Sequence, residues 1–202
     1  VFAGELSRAV CGDAAAGAFE VSADNRDIVN SMFAWVWRYD PWNVLRIDYG
    51  KGFFLTGAIG TGKSTLMRGL QQYMNSLDRR GLRRKRDDWR MGHMMSSASV
   101  IANEYAAKGL EALMPYSTDG HNLCIDELGR EPMPAKHYGT EMNVCQFVLQ
   151  MRYDYRHRRV THLTSNLAIG RIMPLYGDYI ADRFLEMFNI VEFEGSSIRH
   201  KR

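Results

Sequence analysis

Two periodicities alternate along the chain. Short runs in which nearly every position is apolar or β-branched, such as "KGFFLT", "HNLCIDE" and "VTHLTSN", read as strands buried on both faces. Between them lie segments whose apolar residues recur at helical spacing. Leu66, Met67, Leu70, Tyr73, Met74 and Leu77 predict a helix running to about Ser76. Further along, "MGHMMSS" predicts a second strand, "SASVIANEYAAKGLEALM" a helix broken near Gly109, and "TEMNVCQFVLQMRYDYRHR" a long helix. A short helix near Ile169, a Pro-Leu-Tyr-Gly turn, a helix through "DYIADRFLEMF" and a last strand "IVEFEG" follow. Strand and helix alternate throughout, which predicts an α/β fold with a parallel sheet sandwiched by helices. The first segment is harder to read. "DNRDIVNSMFAWVWRYDPW" predicts a helix starting after Asp24, with Phe33, Trp35, Trp37, Tyr39 and Trp42 crowded together. Aromatics at that density pack into a core or interface, or cover a nucleotide base.

The stretch "GAIGTGKST" follows the first strand and opens the first periodic helix, and it fits G-x-x-x-x-G-K-[ST]. In that context Gly57, Ala58, Ile59, Gly60, Thr61, Gly62, Lys63, Ser64 and Thr65 form a phosphate grip of the P-loop NTPase kind. Lys63 is expected to reach the β- and γ-phosphates, and the Ser64 hydroxyl to help hold Mg²⁺. Magnesium also needs an acid at the end of a buried strand, and "NLCIDE" supplies Asp126 there. Glu127, the next residue, is placed to orient or deprotonate a water for attack on the γ-phosphate, which favours hydrolysis over transfer to a small molecule. Thr164, Ser165 and Asn166 close the following strand. Asn166 is the residue chosen to bond the attacking water or the γ-phosphate and so distinguish ATP from ADP. Charge developing on the γ-phosphate calls for a further cation, and Arg183 and Arg199 are the late candidates.

Composition narrows the setting. A chain of 202 residues with 46% hydrophobic residues suffices for one α/β domain with a sizeable core. No apolar run approaches the roughly 20 residues of a membrane span, so a soluble, cytoplasmic protein without a membrane partner is expected. Cys11, Cys124 and Cys145 are odd in number and indicate neither a disulfide framework nor a metal site. The formal charge of +3 is unevenly spread: "RRGLRRKRDDWR", Arg79 to Arg90, holds seven basic and two acidic residues. Smaller basic groups occur at Arg152 to Arg159 and in the terminal "RHKR". Such runs either attract phosphate backbones or stay solvated, and both readings are open for Arg79 to Arg90.

The segments "GAIGTGKST", "LCIDELGRE", "HLTSN" and "YGDYIADRFLEMFNIVEFEGSSIRHKR", in this order and spacing, resemble the DnaC/IstB-type AAA+ ATPases, a family of replicative helicase loaders and transposition helpers. The resemblance covers about Gly50 to the C-terminus. It implies an AAA+ core over residues 49–202, with 1–48 as a helical linker segment packing on it. Lys63 and Ser64 become the Walker A pair, Asp126 and Glu127 Walker B, and Asn166 sensor 1. Arg183 falls on the family's arginine finger, which acts on the nucleotide of an adjacent subunit, and Arg199 on a sensor-2-like arginine. The resemblance further implies ATP and Mg²⁺ as cofactors, an ATP-dependent homo-oligomer, and a replicative helicase as partner on single-stranded DNA. DNA contact is expected through Arg79, Arg80, Arg83, Arg84, Lys85 and Arg86. Only three residues follow Arg199, so no C-terminal helical lid is expected, and the opening at Val1 points to further N-terminal sequence. A transposition helper with a transposase partner shares every motif. A small-molecule kinase is the more distant alternative, with Arg79 to Arg90 as its lid.

Overall fold

The computed structural model describes residues 21, 25–39, 45–81, 92–118 and 120–193. Five strands form a parallel sheet: β1 (Gly52–Gly57), β2 (His93–Ser97), β3 (Asn122–Asp126), β6 (Thr161–Thr164) and β7 (Phe188–Phe193), in the spatial order β2-β3-β6-β1-β7. β4 (Ala135–His137) and β5 (Thr140–Met142) make a separate antiparallel hairpin. The helices are α1 (Arg26–Trp37), α2 (Lys63–Arg79), α3 (Ala98–Lys108), the short α4 (Met114–Ser117), α5 (Val144–Asp154), the short α6 (Ile169–Ile172) and α7 (Gly177–Met187).

The period-two alternation of a strand sorts the core into two layers. Phe53, Leu55 and Cys124 face one side, where they meet Leu66, Leu70 and Tyr73 of α2 and Val29, Met32, Phe33 and Trp35 of α1. Phe54, Leu123, Ile125 and Leu163 face the other, against Ile101 of α3, Val148 and Leu149 of α5, and Ile180 and Phe184 of α7. Phe53, Phe54 and Leu55 have no exposed surface. Burial of each such side chain is worth about 1.5–3 kcal/mol, so the strands read as continuous apolar runs because both faces are covered.

All five strands run the same way, so their C-terminal ends gather on one edge. Register brings Ser97 opposite Asp126 and Leu55 opposite Thr164. That edge is where a parallel α/β sheet presents its loops to a ligand.

Most predicted elements are present, including the break at Gly109, where α3 gives way to a 3₁₀ turn (Gly109–Leu113). Three boundaries differ. α2 continues to Arg79, one turn beyond the predicted end. The long helix expected from Thr140 begins only at Val144, because the Asn143 side chain accepts a hydrogen bond from the Gln146 N–H and caps it there. Thr140 to Met142 instead pair with Ala135 to His137 around Tyr138 and Gly139, whose φ values of 43° and 84° make the left-handed turn a two-residue hairpin prefers. Phe188, expected in the last helix, starts β7 opposite Gly52.

Of the crowded aromatics, Phe33 and Trp35 are buried while Trp37 and Tyr39 are exposed; Trp42 lies outside the described residues. Phe33 meets Tyr73 edge-on at 5.0 Å, and the Trp35 indole donates to the Lys51 carbonyl at 2.8 Å. α1 therefore packs onto the sheet layer that carries the grip. Cys124 and Cys145 are free, buried thiols. Among the described residues no helix is long and apolar enough to cross a membrane.

Candidate functional site

The grip forms where β1 ends. Gly57 has φ 137°, and a Cβ there would stand 2.5 Å from the Phe193 carbonyl oxygen, so only glycine lets the chain leave the strand against β7. Gly62, also left-handed at φ 94°, caps α2 without a side-chain hydrogen bond. The first N–H groups of this 17-residue helix thus carry no side-chain cap and face the loop, the arrangement that receives an anion.

Lys63 is the first residue of α2 and is 5% exposed. Its ammonium donates to the carbonyls of Gly57 (2.8 Å) and Ala58 (2.7 Å) and to the Thr61 hydroxyl (3.3 Å). Burial pushes its pKa down, and the charges of Asp126 and Glu127 offset part of that effect. The ammonium therefore sits inside the turn, held by the loop's own oxygens.

The acids approach from β3. Ser64 donates its hydroxyl to Asp126 Oδ1 at 2.7 Å, which joins the helix start to the strand end. Thr164, at the end of β6, donates to the same carboxylate oxygen, and its hydroxyl accepts the Glu127 N–H at 3.0 Å. One hydroxyl thus ties both acidic positions to the neighbouring strand. Glu127 is held at φ 56°, an uncommon value for a residue with a side chain, and its carboxylate meets Arg130 at 3.0 Å.

The loop beyond is strapped down from two directions. Ser165 donates its hydroxyl to the Leu128 carbonyl at 2.7 Å. The buried Glu131 carboxylate accepts from the Gly129 N–H (2.8 Å) and from the Tyr176 hydroxyl (2.6 Å). Burial and the charge of Glu131 push the Tyr176 phenol well above its ordinary range, so it stays a donor.

Lys63, Ser64, Asp126 and Glu127 lie together at one edge of the sheet. Asn166 is close by: Ser165 donates its N–H to the Leu55 carbonyl (2.9 Å), and the Leu167 carbonyl accepts the Thr56 hydroxyl (2.5 Å). These two bonds hold Asn166, half-buried, beside the last residues of β1. Arg183 stands elsewhere. Its guanidinium lies over the Tyr179 ring at 3.3 Å and 4.8 Å from the Tyr153 ring centre, and it donates to the Tyr179 carbonyl. Arg79 and Arg80 are exposed at the end of α2; Arg83, Arg84, Lys85, Arg86 and Arg199 lie outside the described residues. Sequence reasoning noticed Thr164 but chose its neighbour Asn166, and it passed over Arg130 and Glu131. A hydroxyl ending a strand adjacent to the acidic one was the available signal.

Magnesium suits this set. Oxygen donors from Ser64 and Asp126 are the hard ligands it prefers, and it is commonly held by one or two carboxylates together with substrate phosphates. Among the described residues no group of three or more His, Cys, Asp or Glu side chains converges.

No protein-family model and no curated protein matches the chain. Among solved structures it is similar to AMPPCP-bound DnaA from Aquifex aeolicus, with 20% identity and a TM-score of 0.57 over 90% of this chain and 50% of that one. It is also similar to the replication initiator DnaA bound to AMPPCP and single-stranded DNA, with 18% identity and a TM-score of 0.55 over 88% and 49% of the two chains. The DnaI crystal structure is matched with 18% identity and a TM-score of 0.59 over 93% of this chain and 94% of that one. The chain spans about half the length of these DnaA structures. Likeness of this degree shows the fold alone, a parallel α/β sheet sandwiched by helices, as the alternation of strand and helix implied.

Proposed function

We propose that the protein binds and hydrolyses ATP as an AAA+ ATPase of DNA replication, in the manner of a helicase loader acting on single-stranded DNA and a replicative helicase. The observation that carries the nucleotide chemistry is the convergence of Lys63, Ser64, Asp126 and Glu127 at one edge of the sheet. In this reading the ATPase domain covers 49–202 and residues 1–48 form a segment packed on it. The likeness to DnaI and to DnaA structures holding AMPPCP and single-stranded DNA supports the partner class.

The chain's own groups divide the work. The amides of Gly57 to Thr65 and the Lys63 ammonium take the phosphates, and the ammonium exchanges its carbonyl partners for phosphate oxygens. Ser64 and Asp126 would hold Mg²⁺, which would supply charge neutralisation to the phosphates. Thr164 keeps Asp126 and the backbone of Glu127 in fixed relation. Glu127 orients the attacking water and receives its proton once its carboxylate turns from Arg130. Asn166 reads the γ-phosphate. Arg183 acts on the nucleotide of an adjacent subunit, which requires its guanidinium to leave the faces of Tyr179 and Tyr153. Arg199 supports the phosphates as a sensor-2-like residue.

Two variants test the site. Lys63→Ala abolishes ATP binding, whereas Glu127→Gln retains binding and slows hydrolysis at least about 10²-fold, within the usual range for a general base. A wild-type hydrolysis rate in Glu127→Gln sinks the assignment. The partner is tested by ATP-dependent delivery of a replicative helicase onto circular single-stranded DNA. A transposase that stimulates the ATPase where the helicase does not would turn the reading to a transposition helper.

A further inference from the structure

The sheet edge opposite the grip carries an arginine whose charge the described protein leaves without a counterion. α5 and the turn after it deliver Arg152, Arg156, His157, Arg158 and Arg159 to the edge where β3 and β6 begin. Arg152 is 1% exposed. Its guanidinium donates to the Thr161 hydroxyl (2.6 Å) and to the carbonyls of Tyr116 (3.0 Å), His121 (3.1 Å) and Val160 (3.0 Å). All four acceptors are neutral, and among the described residues no carboxylate pairs with it. A buried charge is ordinarily paired, because removing it from water is costly. Burial brings the Arg152 pKa down to about 10, and the charge of Arg159 pushes in the same direction, so a second cation stands near the first. Arg159 donates one N–H to the Arg158 carbonyl at 3.0 Å and makes no ion pair among the described residues.

Arg156 and Arg159 border a cleft of about 340 Å³ between the starts of β1 and β6 and the end of α7. Its charged lining comprises Lys51, Arg156 and Arg159 against Asp48 and Glu186, with His157 beside them. Both acids are already engaged: Asp48 lies 3.8 Å from the Lys51 ammonium, and Glu186 lies 3.3 Å from Arg156. With each acid offset by one cation, Arg159 in the lining and Arg152 behind Thr161 leave the cleft with surplus positive charge.

We propose that this cleft binds a backbone phosphate of single-stranded DNA, at a site separate from the nucleotide grip. A small anion or an acidic peptide would satisfy the charge, but the surroundings favour a nucleic-acid strand. Tyr155, 42% exposed, lies on the same turn, and Tyr153 already stacks beneath Arg156 at 3.9 Å. Cations alternating with aromatic faces are how proteins track a single strand without reading its sequence. The edge also continues. β2, beside which α2 ends in the exposed Arg79 and Arg80, lies three strands from β1, or about 14 Å at the usual strand spacing. Cations at the two ends of such a span suit a chain of phosphates better than a compact ligand.

The proposal rests on the reading that the protein acts on single-stranded DNA, and the experiment separates the two. Fluorescence anisotropy of a labelled dT20 oligonucleotide is measured from 50 to 200 mM salt with the wild type, Arg159→Glu and Arg171→Glu. Arg171 is exposed on α6 beyond the end of β6, at the other edge of the sheet, and gives the same change in net charge. Arg159→Glu is expected to weaken binding at least tenfold at 100 mM salt and to lower the salt slope by about 0.7, the value for one lost phosphate contact on a single strand. Arg171→Glu should stay within twofold of the wild type. Equal losses in the two variants, or none in Arg159→Glu, overturn the cleft as the site. Unchanged DNA binding with loss of polyglutamate binding overturns it in favour of an acidic protein segment. A wild type that binds ATP but no oligonucleotide overturns the DNA reading itself. His157→Glu, at an exposed position of the same lining, repeats the test should Arg159→Glu fail to fold.

Discussion

Acid should unfold this protein from within, through two histidines buried beneath α1 and α2. His93 and His162 face each other with ring centres 5.1 Å apart and are 4% and 0% exposed. His162 accepts the Phe53 N–H at its Nδ1 (3.1 Å), so the neutral ring carries its proton on Nε2, which has no partner. Neither nitrogen of His93 makes a hydrogen bond of good geometry, although the Met67 carbonyl approaches the ring. Burial drives the His93 pKa from 6.5 to about 4, the Met67 carbonyl pulling weakly the other way. Burial together with the charges of His93 and Arg152 drives His162 well below its ordinary value. In the unfolded chain both rings titrate near 6.5. Between about pH 6.5 and 4 the unfolded state therefore binds more protons, so stability rises with pH in that window and is lost on acidification through it. For pKa values of 6.5 and 4, His93 alone removes about 2 kcal/mol between pH 7.5 and 5, and His162 acts in the same direction.

His93→Leu removes one of the two titrations without leaving a new polar orphan. At pH 7.5 its stability should be near or above that of the wild type, because two nitrogens without a well-formed hydrogen bond leave the core. The measurement is urea unfolding of both proteins at pH 7.5, 6.5, 5.5 and 5.0, with the free energy extrapolated to water. The wild type should lose about 2 kcal/mol more than His93→Leu between pH 7.5 and 5. Carboxylates titrate alike in both proteins and cancel in the difference. Parallel stability curves would refute the argument, since they require His93 to titrate normally in the folded state.

Three further outcomes follow from the site. Arg183→Ala should bind ATP nearly normally but hydrolyse it poorly, with a loss on the order of 10³ if the finger is fully engaged. Mixing it with Lys63→Ala should restore part of the activity, and absence of rescue at every ratio, with oligomerisation confirmed independently, would remove a finger acting in trans. Replacing the basic residues of "RRGLRRK" as a block should weaken single-stranded DNA binding and flatten its salt dependence at about 0.7 per contact; unchanged affinity and slope would make the run a solvated loop. Thr164→Val removes the hydroxyl shared by Asp126 and the Glu127 N–H and should destabilise the protein by about 2 kcal/mol in thermal or urea unfolding. It should also lower turnover more than ATP affinity, and unaltered stability and turnover would show that the bridge is dispensable.

The layers of the fold were legible because a strand covered on both faces leaves few positions for polar residues: Phe53 to Leu55 of β1 and Leu123 to Ile125 of β3 are unbroken apolar runs, while β6 (Thr161–Thr164), buried along its whole length, was read from its β-branched threonines. The grip was legible because glycine, lysine and serine at that spacing answer to backbone geometry and phosphate charge at once. The hairpin at 135–142 was not. Its turn uses Tyr138 where Asn or Asp would have announced a left-handed residue, and its strands are three residues each, too short for a period to register. Thr164 was undervalued for a different reason. Its role depends on register between β3 and β6, which places its hydroxyl beside Asp126, and no local pattern encodes which strands are neighbours. The same holds for Glu131 and Tyr176, 45 residues apart and joined by one hydrogen bond.

Glu127 carries a consequence for anyone improving the protein by directed evolution. Its left-handed backbone is a conformation that glycine adopts freely and glutamate does not, at a cost on the order of 1 kcal/mol or more. The Arg130 ion pair is half-exposed and recovers little of that. A library at this position sorted by heat resistance would enrich glycine, with asparagine behind it, and discard the wild-type residue. A library sorted by phosphate release would do the reverse. On the proposed mechanism, selection for stability would therefore silence catalysis at a position whose backbone a glycine would relax.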